Sequence, residues 1–129
     1  MIEHVIYKGP QKLTPNQKRW SKRYIKKSGT DFIFEPPEEY HEVCEWENGW
    51  IDFTVDKDYN VLFIHSMYCN KPDTNLAMIE TFKLAVDLAK QRNCNAIEWD
   101  TRRPFRAWKR LAKNIGNVKI ITRQLRIEI

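Results

Sequence analysis

The sequence predicts one mixed α/β domain, a mostly antiparallel sheet flanked by helices. Three observations lead there. First, Val61–Tyr68 (VLFIHSMY) and Ala96–Asp100 (AIEWD) are short apolar runs separated by a long segment of helical periodicity, which is the signature of a crossover joining two parallel strands. Second, His41–Glu47 and Trp50–Val55 alternate in polarity on either side of Asn48-Gly49, a strong hairpin signal. Third, 129 residues is the length of a single domain with a real hydrophobic core, and sixteen aromatic side chains (five Trp, five Tyr, six Phe) argue against disorder.

Taken in order, Ile2–Tyr7 reads as a strand ended by Gly9-Pro10. A helix follows over Pro15–Lys27. Thr14 is placed to cap it, Pro15 suits its first position, and Gln17 completes a capping box. Ser28-Gly29 ends it. Trp20 and Tyr24 lie four apart on one face, and most of the rest is basic. Asp31–Tyr40 is an extended piece broken by Pro36-Pro37. The strand His41–Glu47 turns inward through Val43 and either Cys44 or Trp46. A type I′ turn with positive φ at both Asn48 and Gly49 leads to Trp50–Val55, where Ile51, Phe53 and Val55 share a face. Asp56–Asn60 turns the chain into Val61–Tyr68.

The next helix spans Thr74–Arg92. Met78, Phe82, Ala85 and Ala89 recur at helical spacing, and Leu76, Ile79 and Val86 widen the stripe, as expected of a helix packed on a sheet. Asn93-Cys94-Asn95 ends it before the strand Ala96–Asp100. A basic helix over Arg103–Ile115 and an extended run Val118–Ile129 complete the chain.

Composition narrows the function classes. No apolar run reaches the roughly 20 residues that span a bilayer, and Met1–Lys8 lacks the apolar core of a signal peptide, so the expected location is the cytoplasm. Cys44, Cys69 and Cys94 show no metal-ligand spacing and read as reduced thiols. Charge is segregated. Every charged residue from Lys8 to Lys27 is basic, those from Asp31 to Asp58 are acidic except Lys57, and Arg102, Arg103, Arg106, Lys109, Arg110 and Lys113 form a second basic group. That group is the expected contact surface for a nucleic acid or an acidic protein partner.

The order of elements is β-α, three antiparallel strands, then α-β-α-β-β. Together with the helix ending Lys113-Asn114-Ile115-Gly116, it resembles the GNAT family of N-acetyltransferases, and in particular the small GNAT-like proteins of tailed bacteriophages of the internal virion protein A type. The resemblance implies a site for acetyl-CoA between the strand Val61–Tyr68 and the following helix. Lys71, Asp73, Thr74 and Asn75 would hold its pyrophosphate, and the chain would close in a hairpin. It also implies catalytic groups near the strand end, for which His65 as base and Tyr68 as acid are the candidates.

The residues depart from that pattern at two places. The phosphate loop Cys69–Asn75 (CNKPDTN) has no glycine, Pro72 removes an amide donor, and Asp73 sets a negative charge where phosphate would lie. Asp73 or Thr74 serves equally as a helix N-cap. The position of the family's catalytic tyrosine, four residues before the helix-ending glycine, is Ala112. The leading expectation is therefore a non-catalytic GNAT-like protein without a cofactor, acting in virion assembly or through protein contacts. The alternatives are an acetyl-CoA-dependent transferase with an atypical loop, and a basic nucleic-acid-binding accessory protein.

Overall fold

A computed structural model describes residues 2–9, 12–28, 38–69, 75–99 and 120–122. These form a mixed α/β fold. A six-stranded sheet runs in sequence order: β1 (His4–Lys8), β2 (Glu42–Trp46), β3 (Gly49–Asp56), β4 (Val61–Cys69), β5 (Ala96–Trp99) and β6 (Ile120–Thr122). Helix α1 (Pro15–Ser28) follows β1, and α2 (Asn75–Gln91) joins β4 to β5. The pairings β1–β2, β2–β3 and β3–β4 are antiparallel, whereas β4–β5 and β5–β6 are parallel. The basic helix expected over Arg103–Ile115 lies outside the described residues. So does the rest of the extended C-terminal run, of which three residues are described, parallel to β5.

Local chemistry accounts for the helix ends. Thr14 Oγ1 accepts from the Gln17 amide at 3.2 Å while Gln17 Oε1 accepts from the Thr14 amide at 3.1 Å, a reciprocal capping box. At the end of α2, Asn93 takes a left-handed φ of 58°. Its amide bonds the Lys90 carbonyl, and the Cys94 amide bonds the Ala89 carbonyl at 2.8 Å, which is the Schellman closure with Asn in place of Gly.

The two faces of the sheet differ. One carries the main core, in which Ile51, Phe53, Leu62, Ile64, Ile97 and Trp99 pack against Phe82, Ala85 and their neighbours on α2. The buried stripe is wider than the periodicity suggested, since Leu84 and Leu88 are also fully buried. The other face carries a smaller cluster beneath α1. There the rings of Trp20, Trp50 and Tyr68 stack within 13° of parallel, with centroids 5.0–5.7 Å apart. Burial of Trp20 holds α1 to the sheet although Lys18, Lys22 and Lys26, and likewise Arg19 and Arg23, repeat at i, i+4. Each such like-charge pair opposes helix formation by about 0.2–0.5 kcal/mol.

One turn differs from its sequence reading. Trp46 pairs with Gly49, so the hairpin turns at Glu47-Asn48 rather than at Asn48-Gly49, and Asn48 does not adopt positive φ. Gly49 is needed for a different reason. A Cβ there would lie 1.9 Å from the backbone carbonyl oxygen of Tyr68 on β4. Gly49→Ala should therefore force β3 and β4 apart and cost about 1–3 kcal/mol or more, read as a lower denaturant midpoint.

Candidate functional site

A β-bulge builds the most chemically distinctive group on the described surface. Asp52 pairs with Ser66 and Phe53 with Ile64, so His65 is the extra residue of β4. A bulge turns two successive side chains toward one side. His65 and Ser66 thereby join Asp52 and Thr54 on the face opposite α2. His41, just before β2, completes the group.

His41 and Asp52 form its centre. His41 Nδ1 lies 2.8 Å from Asp52 Oδ1, and both residues are about 95% buried, at 5% and 4% exposure. An ionised Asp52 only accepts, which makes Nδ1 the donor in that state. The Ser66 hydroxyl donates to Asp52 Oδ2 at 3.3 Å. Burial pushes the Asp52 carboxyl above the usual range, opposed by its attraction to His41 and by the hydrogen bonds from His41 and Ser66. His41 Nε2 is buried and has no hydrogen-bond partner among the described residues. The imidazole is thus held by an acid on one nitrogen, while its other nitrogen is enclosed without a partner among the described residues.

His65 covers this pair. Its ring stacks on that of His41 with centroids 4.0 Å apart, Phe63 meets it edge-on at 4.8 Å, and its Nε2 lies 2.8 Å from Thr54 Oγ1. Unlike His41, His65 is exposed. Beside it on the same face a cleft of about 650 Å³ is lined by Thr54, Asp56, Tyr59, Val61, Phe63, Ala96 and Glu98.

Tyr68 stands apart from this group. It is 4% exposed and stacked between Trp20 and Trp50 beneath α1. Burial raises its pKa, opposed by the positive charge of Arg23. The structure thus separates the two sequence candidates: His65 is at the surface of the polar group, and Tyr68 belongs to the aromatic cluster. Next to that cluster, Tyr7 donates to Glu45 Oε2 at 2.6 Å, Gln17 donates to the Tyr7 hydroxyl, and Asn16 donates to Glu45 Oε1. Burial, together with Glu45, raises the Tyr7 pKa well above its ordinary value. These contacts tie α1 to β1 and β2.

Of the expected cofactor contacts, Asn75 is the first residue of α2, and Lys71, Asp73 and Thr74 lie outside the described residues. So do Arg102, Arg103, Arg106, Lys109, Arg110 and Lys113. The three cysteines are free, and burial pushes the Cys44 thiol up to about 12. Among the described residues no cluster of three His, Cys, Asp or Glu is arranged for a metal ion, and no helix is long and apolar enough to cross a membrane. No protein-family model matches the chain, and no curated protein matches it.

Proposed function

We propose that this chain is a GNAT-like protein that works through contacts with other proteins, as a phage virion or assembly component would, and does not transfer acetyl groups. The observation that carries this reading is the position of Tyr68. The acid candidate at the end of β4 is sealed in the Trp20–Trp50 stack, and burial disfavours its ionised form. The sequence of the following loop points the same way. Between Cys69 and Asn75 there is no glycine to let backbone amides approach a pyrophosphate, and Pro72 and Asp73 work against one. A surface with segregated charge suits a role in binding.

A second reading, an acetyl-CoA-dependent N-acetyltransferase, draws on the His41–Asp52 pair. A transferase must remove a proton from an attacking amine, and an imidazole oriented by a buried carboxylate is a competent base. Labelled acetyl-CoA and a mixed panel of amine and peptide acceptors separate the two readings. Transfer above the uncatalysed rate is not expected. Transfer that falls at least about 100-fold in His41→Gln would establish the second reading, since general bases contribute about 10²–10⁴-fold.

A further inference from the structure

Helix α1 presents a cationic ridge on the side away from the sheet. Its fourteen residues contain no acidic side chain. At 3.6 residues per turn, Lys18, Lys22, Lys26, Arg19 and Arg23 fall within an arc of about 140°, while Gln17, Trp20 and Ser21 lie on the opposite, buried side. Lys18, Lys22 and Lys26 follow one another along about 12 Å of the helix surface. All three are exposed, and none is in an ion pair among the described residues.

We propose that this ridge binds the phosphate backbone of duplex nucleic acid, without reading sequence. Three features favour that ligand over an acidic protein surface. The arc repeats a single sign of charge at a regular step, which a phosphodiester backbone matches and a mixed protein surface does not. It lacks an apolar or aromatic anchor of the kind that gives protein interfaces their energy, apart from Ile25 at its border, 37% exposed. Trp20, the aromatic of α1 whose side chain is described, is 4% exposed and already stacked on Trp50 and Tyr68. What remains is charge neutralisation, which positions a protein on a duplex and carries no sequence information.

The test is fluorescence anisotropy with a labelled 20-base-pair duplex of arbitrary sequence, titrated with the full chain between about 50 and 200 mM salt. Three lysine–phosphate contacts contribute a log–log salt slope of about −2.7, a loss of about 40-fold over that range. The variant K18Q/K22Q/K26Q should bind at least about 10-fold more weakly at 50 mM and lose about that much slope. A control, K57Q/K83Q/K90Q, removes the same charge from exposed positions elsewhere and should stay within about twofold of wild type. Circular dichroism checks that both variants fold.

Four results would overturn the proposal. They are no duplex binding by the wild type at 50 mM, a ridge variant that binds like wild type, a control variant as weak as the ridge variant, or salt-sensitive self-association lost in the ridge variant without duplex binding. The second would move any nucleic-acid surface to the basic group around Arg103, Arg106 and Lys109. The last would assign the ridge to an acidic protein face.

Discussion

Replacing Phe82 with alanine should lower the unfolding free energy by about 3–5 kcal/mol. Phe82 is 2% exposed at the centre of the main core, with its ring 4.9 Å from that of Trp99 across the α2–β5 contact. Truncation removes the transfer free energy of the ring and leaves a cavity that the sheet on one side and the helix on the other close only in part. The loss is a large fraction of the roughly 5–15 kcal/mol by which domains of this size are stable. Urea unfolding followed by tryptophan fluorescence measures it, and a change below about 1 kcal/mol would mean that α2 is not seated on the sheet as described.

Asp52→Ala should cost nearly as much, about 3–5 kcal/mol, for an electrostatic reason. It removes the acceptor for both His41 Nδ1 and Ser66 Oγ and leaves a buried imidazole with neither nitrogen satisfied. The double variant His41→Phe/Asp52→Leu removes both partners and should recover most of that loss, because a buried pair replaced by packed apolar groups is close to neutral. The double-mutant cycle then gives a coupling of about 1–3 kcal/mol. Additive effects would show that the two side chains do not bond in solution.

The elements of the fold were largely legible in the sequence because the signals are local. The Thr14–Gln17 capping box, the Met78–Ala89 stripe and the alternation of Ile51, Phe53 and Val55 each lie within a few residues and match the structure. Of the candidate site only His65 was legible; His41, Asp52 and Ser66 were not, and the cause is register. A turn centred on Asn48-Gly49 sets Glu45 opposite Asp52. The actual turn at Glu47-Asn48 pairs Asp52 with Val43 and brings His41 beside Asp52 and Thr54. Gly49 misled because it lies just after the turn, where the close approach of β4 and a φ of 159° call for glycine, rather than inside the turn. The bulge at His65 was equally hidden: one extra residue in β4 puts His65 and Ser66 on the same face, which simple alternation forbids. Tyr68 carries no sequence mark of its burial, since its partners Trp20 and Trp50 come from distant segments.

Two places in the fold bear on function. The His41–Asp52–Ser66 group and the neighbouring cleft are where proton chemistry would take place, and the α1 ridge is where contact with a polyanion would. The absence of glycine between Cys69 and Asn75 bears on the first of these, because acetyl transfer needs a bound cofactor before any base is useful.

Calorimetric titration of the full chain with acetyl-CoA tests that claim most directly. A contact protein with no glycine between Cys69 and Asn75 should show no saturable heat at millimolar ligand. A stoichiometric isotherm with a micromolar Kd, reproduced with coenzyme A alone, would contradict it.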